Sequence, residues 1–139
     1  MVLAGTGRAE VTGSRIEVRM AAQLENLAVL RNMAATVAVF ECLDGDAVAD
    51  LRIAVDEVCT WLIRVANPDA PLVMHIDPQP DRFVVAASVT YDGPSPEHVL
   101  HGSFSWHVLT ALTQEVSTFT TGRQVLGITL VAKQTSPQP

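Results

Sequence analysis

Residues 51–66, LRIAVDEVCTWLIRVA, constrain this chain more than any other stretch. Leu51, Val55, Val58, Leu62 and Val65 recur at i, i+4, i+7, i+11 and i+14, which is one apolar stripe on an α-helix. Ala54 and Cys59 widen the stripe, while Arg52, Asp56, Thr60 and Arg64 lie off it. A helix of this kind needs an apolar surface to cover its face, so the rest of the chain must supply one. Glu57 sits four residues before Trp61, which makes the two side chains neighbours on one flank of the helix. A carboxylate beside an aromatic at the edge of a buried face suits a site, and it also suits ordinary helix surface.

Around this helix the chain reads as follows. Residues 1–13 are small and polar with three glycines and read as a loose arm. Residues 14–20 alternate, with Ile16, Val18 and Met20 to one side, as a half-buried strand does. Residues 23–42 carry Leu27, Leu30, Ala34, Val37 and Phe40 at helical spacing and contain no Pro or Gly. Residues 43–46 break that helix, with Gly45 suited to its end and Asp46 to the cap of the next. Strands are expected over 72–77 and 82–91 as an antiparallel hairpin, with His75 as a strand residue. A loop over 92–102 follows, then a helix over 103–114 capped by Ser103 with Phe104, Val108, Ala111 and Leu112 facing inward. A second strand pair, 115–121 and 124–133, closes the domain over 14–133, and residues 134–139 read as a frayed tail. The fold class is α+β: a two-layer α/β sandwich with a mixed, mostly antiparallel sheet and helices on one face.

With 139 residues, 48% of them hydrophobic and 17% charged, one domain with a real core is expected. The formal net charge of −6 argues against direct nucleic-acid binding, which needs Lys and Arg to replace counterions. No apolar run is long enough to span a bilayer and residues 1–13 lack a secretory pattern, so the expected location is the cytoplasm. In that reducing compartment Cys42 and Cys59 read as small buried hydrophobes, with a redox pair as the alternative. No metal site is expected at His98, His101 and His107.

The stretches AVADLRIAVDEVCTWLIR (47–64) and GSFSWHVLTAL (102–112), in this order of elements, resemble the GHKL ATPase fold. Within it the chain is similar to the serine-kinase anti-sigma factors of the RsbW type, in their actinobacterial UsfX branch, from about Ile16 to Lys133. The resemblance implies a homodimer that holds a sigma factor away from RNA polymerase. It also implies a competing STAS-domain anti-anti-sigma protein, and in active members a Mg-ATP-dependent phosphorylation of a serine on that protein. Arg31 matches an arginine that contacts the sigma factor, and a planar guanidinium suits a partner carboxylate.

The family's catalytic motifs survive only in part. Glu57 matches the base that faces the substrate hydroxyl, but the magnesium-holding Asn four residues later is Trp61, which has no oxygen to offer. Asp92 and Gly93 match the start of the adenine-reading motif, followed here by Pro94 and Pro96. Gly102 keeps the first glycine of the phosphate-binding pair, and Phe104 replaces the second. Gly127 and Thr129 retain part of the final motif, with Thr129 as a nucleotide contact. Missing a metal ligand and a phosphate glycine, the chain is expected to bind ATP weakly or not at all, to hold magnesium poorly, and to have weak or lost kinase activity. The alternatives are an active serine/threonine kinase that uses atypical residues and a receptor for another small ligand walled by Trp61 and Phe104.

Overall fold

The computed structural model describes the backbone of residues 8–12 and the whole of residues 15–134. The elements run β1 (Arg8–Thr12), β2 (Arg15–Ala21), a 3-10 turn (Leu24–Asn26), α1 (Leu27–Phe40), α2 (Gly45–Val65), β3 (Pro71–Pro78) and β4 (Phe83–Thr90). They continue with α3 (Glu97–His101), α4 (Phe104–Leu112), β5 (Glu115–Thr120) and β6 (Val125–Val131). One six-stranded sheet has the order β1-β2-β3-β4-β6-β5. The expected two-layer α+β sandwich is present, but every strand pairing is antiparallel rather than mixed. The reason is connectivity: β2 returns to β3 through two helices, and β4 returns to β6 through two helices and β5, each time reversed in direction.

The α2 stripe is the centre of the core. Leu51, Val55, Val58 and Leu62, with Ala54 and Cys59, are buried against Leu72, Met74, Ile76, Val85, Ala87, Val89, Leu126, Ile128 and Leu130 of the sheet. Strand alternation puts these sheet residues on one face, which the helices cover. The α2 helix begins one turn boundary earlier than its sequence suggests. Asp44, not Asp46, is the N-cap, its Oδ1 accepting from the Ala47 backbone N–H at 2.8 Å, and Gly45 is the first helical residue.

Gly45 is free for that place because Cys42 ends α1. Cys42 takes φ +63°, and the N–H groups of Cys42 and Leu43 donate to Val39 O and Ala38 O at 3.0 and 3.1 Å. That pair of bonds is a Schellman motif with a cysteine in the left-handed position usually given to glycine. Cys42 is therefore exposed, a correction to its reading as a buried hydrophobe, while Cys59 is fully buried as expected. Burial, and then the charge of Asp56, push the Cys59 thiol up to about 12.

Other departures follow from helix azimuth and strand pairing. The buried face of α1 is Leu30, Ala34 and Ala38, and Phe40 is 82% exposed. Phe40 lies about 120° around the helix from Ala34 and so misses the sheet. Residues 8–12, expected in a loose arm, form β1 and pair with β2 from Arg8↔Arg19 to Thr12↔Arg15. The remainder of that arm (1–7 and 13) and residues 135–139 of the tail lie outside the described residues. In β6, Gly127 is needed because a Cβ there would meet the ring of Phe119, its cross-strand partner, at 2.1 Å.

The sheet face turned away from the helices carries a polar cluster. His75 Nε2 lies 2.8 Å from Glu17 Oε1 and 3.0 Å from Arg15 Nη2, and Arg19 Nη2 donates to Glu17 Oε2 at 3.5 Å. The His75 hydrogen bond, ahead of the charges of Arg19 and His75, holds the Glu17 carboxyl below its ordinary range against the opposing effect of burial. A depressed folded value contributes stability that is present above the ordinary carboxylate range and lost as pH falls through the folded value. The melting-temperature difference between wild type and Glu17→Gln is expected to be greatest above the ordinary carboxylate range and to shrink as pH falls through and below it. Alkylation followed by mass spectrometry is expected to label Cys42 alone in the native protein and both thiols after denaturation.

Candidate functional site

Asp56 and Glu57 are adjacent on α2 and face different helices. Glu57 is half-buried between α2 and α4, and its Oε1 accepts a hydrogen bond from the Ser105 hydroxyl at 2.6 Å. The start of α4 places that serine. Ser103 caps α4 as expected, its Oγ accepting from the Trp106 N–H at 3.2 Å and donating to Leu100 O at 2.6 Å. Ser105 then falls in the first turn of α4, facing α2. Trp61 lies one turn beyond Glu57, half-buried against the core.

These residues do not fit a magnesium ion. The indole of Trp61 presents only an N–H donor, and one Glu57 oxygen is taken by Ser105. Among the described residues no three His, Cys, Asp or Glu side chains converge on a common point. What this corner can do chemically is hold α2 to α4 through a charge-assisted hydrogen bond.

Asp92 stands at the end of β4, exposed, with Oδ2 accepting from Asn67 Nδ2 at 2.9 Å. Asn67 is fixed in turn: its N–H donates to Thr90 O at 2.7 Å and its Oδ1 accepts from the Asp69 N–H at 2.8 Å. The end of α2 is thereby joined to the end of β4. Gly93 takes φ +80°, a conformation that favours glycine, and its carbonyl accepts from Gln124 Nε2 at 3.0 Å. Gly102 follows α3 with φ −90°, and a Cβ there would stand 3.7 Å from His98 O, an ordinary contact. Its own geometry does not require a glycine.

Thr129 does not join this group. It pairs with Ala86 and Ser117, out of phase with the buried Ile128 and Leu130, and so points to the sheet face away from the helices. Phe104, expected on the inner face of α4, is 79% exposed, and Leu109 is the residue of α4 that is buried. The 92–102 segment, read as a loop, contains α3. That helix is tied to β5 through Thr118, whose hydroxyl donates to Glu97 Oε2 and lies 3.2 Å from His101 Nε2. The His101 ring packs at 4.4 Å on Trp106.

Arg31 lies on the opposite flank of α2 from Ser105. Its Nη1 donates to Asp56 Oδ1 at 2.9 Å, and the two residues line a groove with Ala49, Arg52 and Ile53. The structure thus places Glu57 with Ser105, Asp92 with Asn67, and Arg31 with Asp56, three separate pairings rather than one constellation. Ser105, Asn67, Gln124 and Asp56 were not singled out in the sequence. Only Asp56 carried a signal, as an off-stripe carboxylate on the helix facing α1. Ser105→Ala removes the hydroxyl that Glu57 holds and is expected to cost about 1 kcal/mol in a urea titration.

No protein-family model matches the chain. Among curated proteins it is similar to the anti-sigma-F factor RsbW of Mycobacterium tuberculosis, found in two strains, at 54% identity over 125 residues. The match takes in 86% of this chain and 73% of that protein. Shared identity of this depth over most of both chains leaves one assignment: the chain belongs to the RsbW family of anti-sigma factors.

Proposed function

We propose that this chain binds a sigma factor of the sigma-F type, keeps it from RNA polymerase, and does so without phosphorylating the protein that releases it. The observation that carries the binding half is the 54% identity to a protein named for opposing sigma-F. The half about chemistry is supported by the corner at Glu57. The carboxylate in the position of the family's base accepts from a serine of its own chain, and the next turn offers an indole where the family has a metal-holding amide. Phosphoryl transfer depends on positioning and on a metal to neutralise charge, so this corner is better suited to holding helices than to catalysis. Release then runs by competition from an anti-anti-sigma protein of the STAS type, with the chain working as a homodimer in the cytoplasm. No helix among the described residues is long and apolar enough to cross a membrane.

A kinase reading keeps one point in its favour, that Glu57 and Asp92 are both retained. Calorimetric titration of the purified chain with ATP, with and without magnesium, separates the two. No magnesium-dependent heat is expected; tight, magnesium-dependent binding, together with phosphorylation of a STAS protein that Glu57→Ala abolishes, reverses the conclusion. For the binding half, Arg31→Ala is expected to weaken sigma-factor affinity by about tenfold while leaving the melting temperature within a few degrees, since exposed ion pairs contribute little to stability.

A further inference from the structure

We propose that the groove between α1 and α2 receives an acidic, amphipathic segment of the sigma factor, with Arg52 and Ile53 as contacts beside Arg31 and with Asp56 as an internal competitor for the Arg31 guanidinium. This rests on the sigma-binding reading and extends it to three further residues. Ala49, Arg52, Ile53 and Asp56 recur at i, i+3, i+4 and i+7, a second stripe on α2, off the buried one and facing α1. Arg31 forms the opposite wall. Ile53 is 54% exposed.

The occupant follows from the charge of the walls. The whole chain carries 9 Lys and Arg against 15 Asp and Glu, yet this groove holds two arginines and one aspartate. Arg52 Nη2 donates to Asn32 Oδ1 at 2.8 Å, which steadies the guanidinium at the groove and occupies one of its five donors. Two arginine forks lining one groove with an exposed aliphatic side chain suit a partner helix that carries carboxylates beside an apolar residue. A second copy of this chain is a poorer occupant, because a two-fold contact here sets one groove with two arginines and one aspartate against another of the same charge.

Asp56 gives the contact its internal check. Its carboxylate lies 2.9 Å from Arg31 Nη1, with both side chains more than a third exposed, so the pair is one that a partner's carboxylate can displace. Once displaced, Asp56 stands beside the incoming carboxylate and repels it. Removing the charge therefore tightens the complex, whereas a purely structural role for the ion pair predicts no gain.

The test is titration of the full chain and its variants with purified sigma-F of Mycobacterium tuberculosis, alongside thermal melts and sedimentation. Asp56→Asn is expected to tighten binding about three- to fivefold. Arg52→Ala and Ile53→Ser are each expected to weaken it about tenfold with melting temperatures unchanged. If wild type binds sigma-F and the three variants stay within twofold of it, the groove assignment fails while the sigma-binding reading stands. A change of oligomeric state in Ile53→Ser with sigma-F affinity unaltered gives the groove to a second copy and also overturns the proposal. If wild type does not bind sigma-F at all, reading and extension fall together.

Discussion

The burial of one stripe of α2 against the antiparallel sheet is the interaction on which the rest depends. Leu51, Val55, Val58 and Leu62 share one buried cluster with residues of β3, β4 and β6. Once that face is set, every other side chain on the helix has a determined direction. Asp56 and Glu57 are separated by about 100° around the axis, so one turns to α1 and the other to α4. Arg31 and Ser105 are the groups they find there. The two polar pairings that hold the helical layer together are thus consequences of a single hydrophobic register.

The same packing explains how carboxylates at the positions of the family's motifs are held within the fold. A carboxylate at position 57, partly withdrawn from water, needs hydrogen-bond partners whether or not it acts on a substrate. Ser105 supplies one from within the chain. Asp92 is similarly satisfied by Asn67, and the segment between β4 and α4 is tied down by Glu97 and His101 on Thr118. Glu57, Asp92, Glu97 and His101 are here engaged in joining elements of the fold. The outer flank of α2 differs. There Ile53 is left exposed in a groove that two arginines also line.

Periodicity carried most of the architecture: the α2 stripe, the alternation of β2, and the two hairpins were legible because each rests on contacts whose spacing is local. The departures share a cause. Phe40 and Phe104 are apolar residues at helical spacing, but a helix buries only the arc that meets the sheet, and that arc is chosen by tertiary packing. The strand over Arg8–Thr12 has a weak local signal and takes its structure from pairing with β2. Cys42 in place of a glycine shifted the junction between α1 and α2, because the left-handed position that ends a helix is a preference of glycine and not its monopoly.

For the site, the sequence alone determined where the motifs depart from the family's: an indole at position 61 offers no oxygen to a metal in any fold, and the two prolines after Asp92 and Gly93 depart from the adenine-reading motif. It also determined that Glu57, Asp92 and Arg31 are the residues to examine. Only the tertiary structure decided what each one touches, sending Thr129 to the far face of the sheet and pairing Glu57 with Ser105 and Arg31 with Asp56. The physical reason is range. Ligand chemistry belongs to a side chain and travels with it, whereas a hydrogen bond between residues 48 or 25 positions apart exists only after the hydrophobic register has brought their helices together.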